Sequence, residues 1–120
     1  MAQSAVQTTA GEAKHVILVN LPHFFAQIET TTQKLNDCVA EHGTIYTDAE
    51  DSDNLYVELN KPTVLILQDL QIHLESQLRT ASMYATVIRP DGTAIMTDEY
   101  NLIVVRAAEA IVMAKIYLGH

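Results

Sequence analysis

Residues 99–119 read EYNLIVVRAAEAIVMAKIYLG, and the fold turns on what lies against them. Thr97 is placed to cap a helix here, with Asp98 and Glu99 in a first turn where acidic groups complement the helix dipole. From Tyr100 to Leu118 only Asn101, Arg106, Glu109 and Lys115 are strongly polar. Projected at about 100° per residue, these four do not gather on one broad face. Ile103, Ala107, Ala110, Ile111, Ala114 and Leu118 make one seam, while Leu102, Val105, Val112 and Ile116 fall largely elsewhere.

Two arrangements compete. Either this is the central helix, wrapped by a sheet and two other helices, or one side packs inward and the other meets a second subunit. Size favours the second. Such a helix is about 30 Å long, which two partner helices and a small sheet scarcely enclose. Each large aliphatic left in water forgoes about 1.5–3 kcal/mol. The expectation is a homo-oligomer or an obligate protein partner, with contact through Leu102, Val105, Val112 and Ile116, joined by Val6 of the N-terminal arm. The alanines at 107, 108, 110 and 114 would permit close backbone approach there.

Upstream, the chain carries a second strong helical pattern. Leu21, Phe24, Phe25, Ile28, Leu35, Cys38 and Val39 recur at spacings of three, four and seven, which predicts a helix over about 21–42. Asn20 is its N-cap, Pro22 sits in the first turn and Gly43 marks the stop. Thr30, Thr31 and Thr32 interrupt the stripe and lower its propensity. Before it, HVILVN (15–20) reads as a short strand or as the lead-in to the helix.

TIYTDAEDSDNLYVELN (44–60) reads as strand, acidic turn, strand, with Leu55, Val57 and Leu59 alternating as in a half-buried strand. Residues 62–82 carry a helical stripe of Ile66, Leu67, Leu70, Leu74 and Leu78. Leu70, Ile72 and Leu74 also alternate as a strand would, but length without a turn signal favours helix. MYATVIRPDGTAIMT (83–97) predicts a hairpin: Tyr84–Arg89 is β-prone, and Pro90, Asp91 and Gly92 suit a tight turn. The expected class is α+β: three helices with a small, mainly antiparallel sheet.

A chain of 120 residues, 48% hydrophobic and 18% charged, is sized and composed as one globular domain. Residues 1–13 are small and polar, with Val6 as the sole sizeable anchor. They are expected to form an extended arm, ordered only against a neighbour, ahead of a single domain over 14–120. The N-terminus lacks the basic start and apolar run of a secretory signal, so a cytoplasmic or intracellular assembly is expected. Arg106, Glu109 and Lys115 argue against a membrane role for the last helix. Fifteen acidic against seven basic residues give a net charge of −8, which disfavours nucleic acid and anionic membrane as partners.

Several groups invite a chemical reading, and each has a plainer one. Asp48, Glu50, Asp51 and Asp53 form an acidic patch without the spacing of an EF-hand loop, so a solvated turn is expected rather than a cation site. Cys38 and His42 share a helix face, but a thiol on an apolar stripe is ordinary core. His15, His23, His73 and His120 show no zinc spacing. Glu58, Asp69, Glu75 and Glu109 could converge, and Arg79, Arg89 and Arg106 could form an anion pocket, but no spacing supports either. With four glycines in the chain there is no phosphate loop and no nucleophile elbow. No metal, cofactor or catalytic residue is assigned.

The expectation is a non-enzymatic structural or interaction subunit of an oligomeric assembly; virus- and phage-type particles have such general needs, by analogy alone. The alternatives are a small ligand-binding or catalytic protein with its site at a subunit junction, and an acidic inhibitor of a basic macromolecular surface.

Overall fold

The computed structural model describes residues 7–9, 12–51 and 53–119, with the backbone alone for the stretches before His15. The order is β1 (Gln7–Thr9), β2 (Glu12–Lys14), α1 (Leu21–His42), β3 (Thr44–Thr47), β4 (Leu55–Glu58), α2 (Lys61–Tyr84) and α3 (Asp98–Tyr117). Three helices pack on one another, and two antiparallel strand pairs lie outside them: β1 with β2, and β3 with β4 in the register Thr44–Glu58 to Thr47–Leu55. The class is α+β, with the helices dominant.

Each helix begins where a side-chain oxygen satisfies a free N–H of its first turn. Asn20 accepts from the His23 N–H at 3.0 Å, Asn60 from that of Thr63 at 3.1 Å, and Thr97 from that of Tyr100 at 3.1 Å. Pro22 and Pro62 stand in first turns, where a missing N–H is harmless. α1 runs through its three threonines unbroken. The hydroxyls of Thr30, Thr31 and Thr32 donate to the carbonyls four residues back, at 3.0, 3.0 and 2.8 Å, so Thr31 and Thr32 are buried with their polar groups satisfied.

The core is narrow. Phe25, Ile28, Leu35 and Cys38 of α1 meet Leu67, Leu74 and Ala81 of α2, and Ile103, Ala107, Ala110, Ile111 and Ala114 of α3. One end of the bundle is aromatic: Phe25 stacks on Tyr100 at 4.1 Å, and Phe24 meets Tyr84 edge-on at 5.3 Å. At the other end Gly43 lies against Tyr117, whose Cε1 would be 2.5 Å from any added Cβ.

Of the two readings of residues 15–20 the lead-in holds: Val16, Ile17, Leu18 and Val19 are exposed and form no strand. Other expectations are corrected. The hairpin near 83–97 is reduced to a turn and a single bridge, because α2 continues through Tyr84. The turn is closed by the Arg89 N–H donating to Thr93 O at 2.7 Å and that of Gly92 to Arg89 O at 2.9 Å, and Ile88 bridges Ala94. The alternation around β4 holds in part: Val57 and Leu59 are half-buried, Leu59 against the core, with Tyr56 and Glu58 exposed between and beside them, but Leu55 at the far end of the strand is exposed. Finally, Ala107, Ala110 and Ala114 face the protein's own core. Their small size brings α3 close to its intramolecular neighbours rather than to a second subunit.

The result is an extended molecule of 75 × 31 × 21 Å with a radius of gyration of 19.9 Å, against about 14 Å for a compact domain of this length. It exposes 8415 Å², where a compact monomer of its mass exposes about 6,500 Å².

The two sides of α2 give a direct check. Leu74 is fully buried and Leu65 is 69% exposed, so Leu74→Ala should lower the unfolding free energy by about 2–5 kcal/mol. Leu65→Ala should change it by less than about 0.5 kcal/mol. Urea denaturation followed by circular dichroism measures both.

Candidate interaction surface

α3 has two apolar sides. One holds Ile103, Ala107, Ala110, Ile111 and Ala114, buried against α1 and α2. The opposite side holds Leu102 (47% exposed), Val105 (52%), Val112 (58%) and Ile116 (42%), joined by Met113 at 42%. At about 100° per residue the two sets lie on opposite sides of the helix, so no rotation of α3 could bury both against α1 and α2. α3 is therefore not the enclosed centre of the fold. Val6, grouped with these residues from the sequence, lies outside the described residues.

Arg106 and Glu109 lie along the same outward side, where they line a shallow groove with Glu29, Thr32 and Gln33 of α1. Among the described residues neither is in an ion pair. Lys115, in contrast, lies 3.7 Å from Glu75.

Further apolar surface stands uncovered. On α2, Leu65, Ile72 and Met83 point away from the buried line of Leu67, Leu74 and Ala81, and Ile66, expected in the inward stripe, is also exposed. In the β3–β4 pair Ile45, Tyr46, Leu55 and Tyr56 are exposed, with the two tyrosine rings stacked at 5.5 Å. A two-stranded hairpin is marginal by itself. Sequence reasoning missed the α2 surface. Its signal was the seven-residue interval from Leu65 to Ile72, parallel to that from Leu67 to Leu74 but two positions away.

The acidic patch has a structural task. Asp48 accepts from the Glu50 N–H at 2.9 Å and from the Tyr56 hydroxyl at 3.0 Å. Asp51 accepts from the Asp53 N–H at 3.1 Å, and the Asp48 N–H donates to Asn54 O at 3.1 Å. The carboxylates thus close the turn on its own backbone. The Glu50 N–H, and then the Tyr56 hydroxyl, hold Asp48 below its ordinary value of 3.8. Among the described residues no three His, Cys, Asp or Glu side chains are grouped to hold a metal.

Cys38 is buried, and its thiol is pushed above its ordinary value, first by desolvation and then by the Glu41 carboxylate. That favours the protonated, unreactive form. His42 lies 3.7 Å from Glu41. Glu75 is engaged by Gln71, which donates at 3.1 Å, and by Lys115. Arg89 donates to Ala94 O at 2.7 Å within its own turn. Arg79, Arg89 and Arg106 sit on α2, the turn and α3 respectively. None of the described helices is long and apolar enough to cross a membrane.

Comparison with known protein families, with curated proteins and with solved structures finds no match to this chain.

Two measurements follow from these settings. Iodoacetamide should alkylate Cys38 in the native chain at neutral pH much more slowly than in the urea-unfolded chain; equal rates would show the thiol to be open. Asp48, with its folded value lowered, stabilises the turn fully above 3.8, and this contribution is lost as pH falls through the lower folded value. Tyr56→Phe removes one of its donors and should move the acid midpoint of the hairpin, followed by the NMR resonances of the Tyr46 ring, upward in pH.

Proposed function

We propose that this protein is a non-enzymatic building block of an oligomeric assembly, held to further subunits through the outward face of α3. The observation that supports the reading is the second apolar side of that helix, which faces water across its whole length.

Magnitudes indicate the kind of assembly. Covering one half-exposed aliphatic side chain contributes about 1 kcal/mol. Five such residues on each of two facing copies contribute about 10 kcal/mol, against an association cost of about 4–15 kcal/mol. Pairing through α3 alone is therefore weak to moderate. The uncovered surfaces of α2 and of the β3–β4 hairpin offer additional contacts, and several modest interfaces per subunit are the pattern of repeated assemblies. Virus- and phage-type shells are one kind of these, by analogy.

Sedimentation velocity at low micromolar concentration is expected to give a mass above the 13.3 kDa of the single chain. Val112→Lys should shift the distribution toward 13.3 kDa with helical content unchanged, because Val112 is 58% exposed. Ile111→Glu, one position earlier and buried, should instead unfold the chain. A wild-type chain that stays at 13.3 kDa into the high micromolar range would refute the reading.

A further inference from the structure

We infer, resting on the assembly reading above, that the partner on the outward face of α3 is a second copy of this chain. The two helices pair antiparallel about a two-fold axis at the level between residues 107 and 108.

Along the edge of the outward face that borders α1 runs a stripe of four residues, Leu102, Arg106, Glu109 and Met113, separated by four, three and four positions. At about 100° per residue they fall within about 60° of arc. Val105, Val112 and Ile116 flank the stripe on one side. Read from either end the stripe has the same order: apolar, charged, charged, apolar. The midpoint between Arg106 and Glu109 is also the midpoint between Leu102 and Met113. A two-fold axis through that point therefore sets Arg106 of each copy level with Glu109 of the other, and Leu102 level with Met113. A self-complementary patch of this kind is what an isologous contact requires. A parallel pairing in register would instead set arginine against arginine and glutamate against glutamate.

The charges are free for this role. Within the described part of one chain neither Arg106 nor Glu109 is in an ion pair, and Glu29, which lines the same groove, pairs with neither. Both are exposed, so the single chain keeps them hydrated. Crossed pairs between copies then set register and exclude the parallel alternative more than they add affinity. The uncovered aliphatics beside them contribute most of the attraction.

Charge reversal in the full-length chain tests the register. R106E places two carboxylates at each meeting point and E109R two guanidinium groups. Each variant, with its helical content checked by circular dichroism, is expected to self-associate about tenfold more weakly. An equimolar mixture of the two restores opposite charges at both points, and association should recover toward the wild-type level. A second readout uses a Cys38→Ser background. Leu102→Cys mixed with Met113→Cys should form a disulfide-linked heterodimer on mild oxidation. Leu102→Cys alone should not, because its two copies stand about 16 Å apart along the axis. Self-association that ignores the single reversals, or that mixing fails to restore, overturns the antiparallel register and leaves the assembly reading standing. A wild-type chain at 13.3 kDa overturns both.

Discussion

The structure depends on a mismatch between one helix and the material available to cover it. α3 carries aliphatic side chains on two opposite sides, and α1 and α2 can reach one. The side they reach is built from alanines at 107, 110 and 114, with isoleucines at 103 and 111, so α3 packs closely and the core stays thin. With Leu102, Val105, Val112 and Ile116 turned outward, the free energy recovered by burying one side leaves the other unrecovered. Everything functional in this reading comes from that remainder.

The same economy of core explains the rest of the molecule. A three-helix layer with small residues at its centre covers little of the hairpin: β4 meets α3, with Leu59 packed against the core, while Tyr46 and Tyr56 stay exposed and stack on each other. The acidic turn between them then has to hold itself together, and Asp48 and Asp51 do so by accepting backbone N–H groups.

Polar groups within the helices show a similar frugality. Thr31 and Thr32 are buried, yet each hydroxyl returns to a carbonyl of its own helix, so the core contains polar residues without needing a network between helices. Cys38 sits on the same inward line, where desolvation keeps its thiol protonated. Neither feature prepares chemistry; both let a small chain fill its interior with what it has.

Local patterns were legible without coordinates wherever the chain interacts with itself over a few residues. Asn20 and Thr97 cap the helices expected of them, Gly43 ends α1, and the inward seam of α3 is the set that periodicity selects, because capping and amphipathic spacing act within one or two turns. The outward placement of Leu102, Val105, Val112 and Ile116 was legible for the same reason, as the complement of that seam. What tertiary structure alone decided was which neighbour each surface meets. It extended α2 through Tyr84 at the expense of a strand and left Leu55 and Ile66 in water. Such outcomes rest on packing between distant segments, where a β-prone run or an alternating stripe yields to whatever volume the three helices leave free.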